Sequence, residues 1–186
     1  MALLLSRPSG PRVYYQDGQY LVNVRNGQWH DLRDFIQPSN PDVLAVYYGI
    51  GPDSWNCFDF VCRHVAYKSD VGEHWQFPSE TLARELGDCE DSTFLFVSLA
   101  QNSDPDVQAI LGDYRGLGHA WGAKNGFIYE TTYTEARPVA DALNYRALVA
   151  FNHYDIREAY PGALEEALGI RKNESLKLSL MAHASR

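Results

Sequence analysis

The run Gly87-Asp88-Cys89-Glu90-Asp91 holds the spacing in this chain that is best suited to covalent chemistry. Gly87 supplies a turn, Asp88 can cap a following helix, and Asp91 stands where a capping-box partner belongs. Cys89 then falls in the first helical turn, where orphan N–H groups and the positive end of the dipole favour a thiolate. The flanking acids work against it, because their negative charge raises a thiol's pKa. A nearby imidazolium must therefore supply most of the activation. Taken alone, Cys89 can equally be a small buried residue at a helix start.

A candidate imidazole lies thirty residues on, in Gly118-His-Ala-Trp-Gly-Ala-Lys-Asn-Gly-Phe-Ile-Tyr-Glu-Thr-Thr132. Asn125-Gly126 is a strong hairpin signal, because both central positions tolerate positive φ. A two-residue turn pairs Lys124 with Phe127, Trp121 with Glu130 and His119 with Thr132. His119, Trp121, Glu130 and Thr132 then share a face, and His119 and Glu130 become diagonal neighbours within reach of their side chains. A carboxylate there can fix the imidazole tautomer and stabilise its cation, the orienting role in a Cys-His-acid triad. A His and a Glu on a hairpin are also common as solvated or interface residues, so the pair gains meaning only beside Cys89.

The order of parts resembles the transglutaminase-like superfamily, and most of all its bacterial cysteine-proteinase branch. The likeness runs from Trp55 through Tyr67-Lys-Ser-Asp70, Trp75-Gln-Phe-Pro78, Glu80-Thr-Leu82 and Gly87-Asp-Cys-Glu-Asp91 to Gly118-His-Ala-Trp121, roughly the middle half of the chain. It implies an α+β, papain-like transglutaminase-core fold, with the nucleophile's helix packed on an antiparallel β-sheet that carries the His and the acid. It also implies Cys89 as nucleophile, His119 as base and Glu130 as third member, where that family most often carries Asp. The activity implied is a cysteine-dependent hydrolase or acyltransferase working on peptide or carboxamide bonds through a thioester acyl-enzyme, protease or amidase before transglutaminase. A non-catalytic binding or scaffold module that keeps the fold is the alternative. Trp75, Gln76 and Trp121 are candidates for the oxyanion site and substrate cleft. No cofactor is required, but Asp88, Glu90 and Asp91 are candidate ligands for calcium, since close carboxylates need neutralising. Some bacterial proteinases of the resembled branch bind calcium through acids flanking the nucleophile.

Several elements must position these residues. Residues 12–24 read as β, with hairpin turns at Asp17-Gly18 and Asn26-Gly27. Gln37-Pro-Ser-Asn-Pro41 is a turn-rich boundary. It suggests an N-terminal β-hairpin segment at 1–40, a core at 41–160, and a C-terminal helix and tail at 161–186. A helix starts at Asp53 or Ser54, with Trp55, Phe58, Val61 and Val65 facing a core. A second covers Ser79 to Leu86, capped by Ser79 and ended by Gly87, and a third runs from Asp88 or Cys89 to about Ala100. Strands are expected at Val107–Asp113, around His119, at Phe127–Thr132 and at Leu143–Phe151. Pro161–Leu168 reads as a helix ended by Gly169, and Ala182–Arg186 as a loose tail. Cys57 and Cys62 point in divergent directions on one helix, which assigns them to core packing rather than to a disulfide or a metal. His64 has no second ligand at helical or hairpin spacing and His74 falls in a loop; both are assigned structural roles.

Composition bounds the rest. Apolar residues are 45% of the 186 and charged residues 22%, enough to bury a core without a staple. A net charge of −8 argues against a nucleic-acid partner. Met1-Ala-Leu-Leu-Leu5 is too short for the apolar core of a secretory signal, and no stretch reaches the ~20 apolar residues of a membrane span. The expectation is a cytoplasmic protein acting on a protein or peptide.

Overall fold

The computed structural model describes residues 10–70 and 72–170; the expectations at Met1–Leu5 and Ala182–Arg186 lie outside them. Strands β1 (Val13–Gln16), β2 (Gln19–Arg25) and β3 (Gln28–Asp31) form an antiparallel sheet. Asp17-Gly18 and Asn26-Gly27 take positive φ at its two turns, as their sequences demand. A 3₁₀ turn, Leu32–Phe35, closes it under an Asp31/Asp34 capping box.

Helix α1 (Pro41–Ile50) was not expected. The boundary residues are its start: the Asn40 side chain accepts from Asp42 N–H, and Pro41 sits in the first turn, where its missing donor costs nothing. Helix α2 (Ser54–His64) is capped by Asp53 and buries Cys57, Phe58, Val61 and Cys62. Helix α3 (Pro78–Arg84) begins one residue before the expected cap at Ser79. The Glu80 carboxylate accepts from Phe77 N–H at 2.6 Å and is itself held by Arg25 at 2.7 Å. Glu85, at φ +53°, ends α3. Gly87 does not; it belongs to β5 (Leu86–Gly87), which pairs in parallel with β4 (Ala66–Tyr67).

Helix α4 (Cys89–Ala100) is buried along its whole length. It packs on a five-stranded antiparallel sheet of order β10-β9-β6-β7-β8, made of β6 (Gln108–Tyr114), β7 (Leu117–Lys124), β8 (Phe127–Tyr129), β9 (Tyr145–Phe151) and β10 (Ile156–Glu158). This is the expected α+β arrangement of a buried helix on an antiparallel sheet. On β7, Gly122 faces α4: a Cβ there would lie 2.4 Å from the Phe96 ring, so only glycine lets the helix sit this close. Alternation sends His119 and Trp121 to the other face, where Tyr114 and Tyr145 pack. Helix α5 (Ala163–Gly169) starts two residues later than expected and includes Gly169; its Ala163, Leu164 and Leu168 join the same hydrophobic core as the N-terminal sheet. No helix among the described residues is long and apolar enough to cross a membrane.

Candidate active site

The head of α4 is built as its sequence suggests. The Asp88 side chain accepts from Asp91 N–H, and Asp91 Oδ2 accepts from Asp88 N–H at 3.2 Å, a reciprocal capping box. Gly87 makes room for it, since a Cβ there would come within 2.6 Å of the Asp91 Cβ. Asp91 is also held from outside the helix, by Gln76 N–H at 2.8 Å and Gln76 Nε2 at 2.6 Å. Burial, and then the charge of Asp88, hold the Asp91 carboxyl above the ordinary carboxylate range. Cys89 opens the helix at 1% exposure. Its thiol donates to Glu90 Oε2 at 2.9 Å.

The imidazole and its carboxylate do meet. His119 Nε2 donates to Glu130 Oε2 at 2.7 Å, with both side chains fully buried. Glu130 accepts three more bonds: Tyr145 OH at 2.7 Å on the same oxygen, and Thr132 N–H at 3.1 Å and Thr132 Oγ1 at 2.6 Å on the other. Burial opposes its charge, but the field of His119 and the bonds from His119, Thr132 and Tyr145 hold Glu130 below the usual glutamate range. Burial and the same carboxylate push the Tyr145 phenol up, so it stays a donor. An ionised, acceptor-only Glu130 places the imidazole proton on Nε2.

The route to this contact differs from the expected ladder. Lys124 pairs with Phe127 across an Asn125-Gly126 turn at positive φ, as anticipated. Pairing stops at Gly122–Tyr129, however, so neither Trp121–Glu130 nor His119–Thr132 forms a strand pair. Glu130 lies in a turn beyond β8, closed by Tyr133 N–H to Glu130 O at 3.2 Å and tied to α4 by a 3.0 Å bond between Thr131 and Thr93 hydroxyls.

The thiol and the imidazole are not hydrogen-bonded. Nε2 of His119 is on Glu130, and Nδ1, buried in a residue 3% exposed, has no hydrogen-bond partner. His119 and Glu90 line one cavity of about 20 Å³, room for a single water, which Cys89 itself does not line. Trp75 lines it too, with its indole N–H donating to Glu73 at 2.8 Å and its ring packed edge-on against Phe35 and Phe94. Gln76 departs from the cleft role expected of it: its amide nitrogen is spent on Asp91 and on Leu86 O. Trp121 stacks beside the His119 ring, 5.8 Å between centroids, and against Tyr145.

Solved structures similar to this chain include EGTA-treated LapG of Legionella pneumophila, 13% identical with a TM-score of 0.47, over 78% of this chain and 98% of that one. Calcium-bound LapG is also 13% identical, with a TM-score of 0.43 over 80% and 99% of the two chains. A candidate cysteine protease from Cytophaga hutchinsonii is 16% identical, with a TM-score of 0.45 over 68% and 50%. The likeness is one of fold. No family model and no curated protein matches the chain. The chemistry of the site therefore rests on its own geometry.

Of the remaining predicted residues, Cys62 touches the site only through its thiol on Glu130 O at 3.8 Å, and the others stay outside it. No disulfide links the three cysteines. Burial first, then Asp53, push the Cys57 thiol up to about 12, which suits an inert core residue. His64 bonds Phe60 O within its own helix at 2.8 Å, and the His74 N–H is held by Asp70. Sequence reasoning missed Tyr145 and Thr132 as partners of Glu130. Thr132 had a signal, since a hydroxyl two residues after an acid readily bonds back to it. Tyr145 had none, being fifteen residues away on a separate strand.

Proposed function

We propose that the chain is a cysteine-dependent hydrolase of peptide or carboxamide bonds, with Cys89 as nucleophile, His119 as base and Glu130 as orienter. The observation that carries this reading is a buried imidazole with Nε2 fixed by an ionised carboxylate and Nδ1 left without a partner. A core histidine would normally satisfy both nitrogens, whereas a general base needs one nitrogen open to receive a proton.

In the working state the head of α4 moves to the imidazole, and the thiol leaves Glu90 and gives its proton to His119 Nδ1. The thiolate attacks the carbonyl carbon, forming the S–C bond. The Cys89 N–H, at the first position of α4, faces the developing oxyanion, while the Asp91 N–H stays on Asp88. Collapse breaks the C–N bond as His119 returns the proton to the leaving amine, and a thioester remains. Water then hydrolyses it; an amine in its place would give transfer. Glu130 stays ionised throughout and supports the imidazolium.

A calcium ion would fit two of the three acids named for it. Asp88 and Glu90 bring carboxylate oxygens, with the Cys89 sulfur, to within 4.8 Å of one another. The Asp91 oxygens are taken by Gln76 and the capping box. A cation held by Asp88 and Glu90 would neutralise the negative charge around the thiol.

The thiol's bond to Glu90 favours a second reading, a non-catalytic module that keeps the fold. Iodoacetamide labelling of the folded protein, followed by mass spectrometry, separates the two. The hydrolase requires Cys89 to react faster than Cys57 and Cys62, and His119→Ala to slow it about tenfold or more. Equal rates for Cys89 with and without the imidazole would leave the module.

A further inference from the structure

Cys89 is 1% exposed, and the cavity beside Glu90 and His119 has room for one water and is not lined by Cys89 itself, so a peptide cannot reach the pair in this conformation. One wall of that cavity is the chain's own C-terminal side. Ala167, Leu168 and Ile170 line the cavity beside Glu90 and His119. Ile170 leaves α5 in an extended conformation, φ −70° and ψ 136°, and its backbone lies against Gly118, the residue before the imidazole. A Cβ on Gly118 would fall 3.0 Å from the Ile170 carbonyl oxygen and 3.6 Å from the Ile170 Cβ. Gly118 is not among the positive-φ glycines, so its missing side chain serves close approach rather than a backbone twist.

The segment is tied down from the opposite end of the chain. Arg12 Nη1 donates to Leu168 O at 2.6 Å, in the last turn of α5, where a cation also meets the negative end of the helix. Arg12 Nη2 reaches Glu73 Oε2 at 3.0 Å, and Glu73 accepts the Trp75 indole N–H from the cavity wall. One guanidinium thus joins the N-terminal sheet, the loop before Trp75 and the end of α5.

We infer that α5 and Ile170 form an autoinhibitory strap, seated where an extended peptide would lie along Gly118 and latched by Arg12. The inference rests on the reading of Cys89 and His119 as the reactive pair. Substrate enters only when the strap lifts, and a peptide backbone with an aliphatic side chain takes the place of Ile170.

The test is the rate of Cys89 alkylation in the full chain, with Cys57 and Cys62 as internal references. Arg12→Ala, which cuts the latch, raises the Cys89 rate about tenfold by favouring local opening, while the references keep theirs. Gly118→Ala, which crowds Ile170 off its seat, acts in the same direction. A synthetic peptide spanning residues 163–170 then slows Cys89 in the Arg12→Ala protein. Folded variants in which Cys89 keeps its original rate overturn the strap, as does a rise shared equally by all three thiols. The two readings fail separately. Latch release that exposes a Cys89 indifferent to His119→Ala sustains the strap and sinks the hydrolase. Labelling that depends on His119 and ignores Arg12 sinks the strap alone.

Discussion

Glu130 and Asp91 are both 0% exposed, yet their surroundings favour different charge states. Glu130 accepts four donors, one from an imidazole that can become a cation, and is held ionised. Asp91 accepts from Gln76 and a backbone amide, all neutral, with Asp88 beside it, and is held toward its protonated form. Burial therefore does not decide the charge of a carboxylate; the charge and number of its donors do. In the proposed reaction the first is the carboxylate that must stay charged, and the second is a piece of helix architecture.

Removing Glu130 should have the largest effect. Glu130→Leu leaves the His119, Tyr145 and Thr132 donors buried without an acceptor, and should cost about 3 kcal/mol. For a chain of this size that is roughly 10 °C in Tm by calorimetry. Glu130→Gln keeps the shape and removes the charge. The native group has a depressed pKa, so its stabilisation is complete above the ordinary glutamate range and is lost as pH falls through the depressed value. Urea midpoints taken down from pH ~5 should therefore converge between the native protein and Glu130→Gln.

Gln76→Leu probes the other carboxylate and should cost less, about 2 kcal/mol, since it removes one neutral donor, the side-chain amide, from a group already held toward neutrality. A loss as large as that of Glu130→Leu would mean that Asp91 is ionised, and the contrast between the two would collapse. Tyr145→Phe is the finest probe. It deletes one of four donors and should cost about 1.5 kcal/mol in urea unfolding. With His119 the main partner of the charge, Glu130 should remain ionised, visible as an unchanged carboxylate chemical shift near neutral pH.

The N-terminal half of this contrast was legible in the sequence and the C-terminal half only in part. Gly-Asp-Cys-Glu-Asp carries its cap, turn and box partner within five residues, so local rules sufficed. Asn125-Gly126 gave its turn and the Lys124–Phe127 pair for the same reason. The Glu130 pocket depends on β8 ending at Tyr129 and on Tyr145 arriving from β9, which no local spacing encodes. Helix α1 failed differently. Asn40-Pro41 carries both a turn and a helix-start signal, and Val43 and Tyr47, one helical turn apart and both buried, were the tie-breaker.

Left to itself, the sequence determined what is settled within a few residues: the capped head of α4 with its thiol, the tight turns, and an imidazole and an acid close enough along the chain to meet. Only the tertiary structure decided where the thiol's proton points, which donors fix the charge of Glu130, and that α5 lies over the cavity. Those depend on contacts between segments tens of residues apart, where the backbone's local preferences are silent and packing of the whole core selects the arrangement.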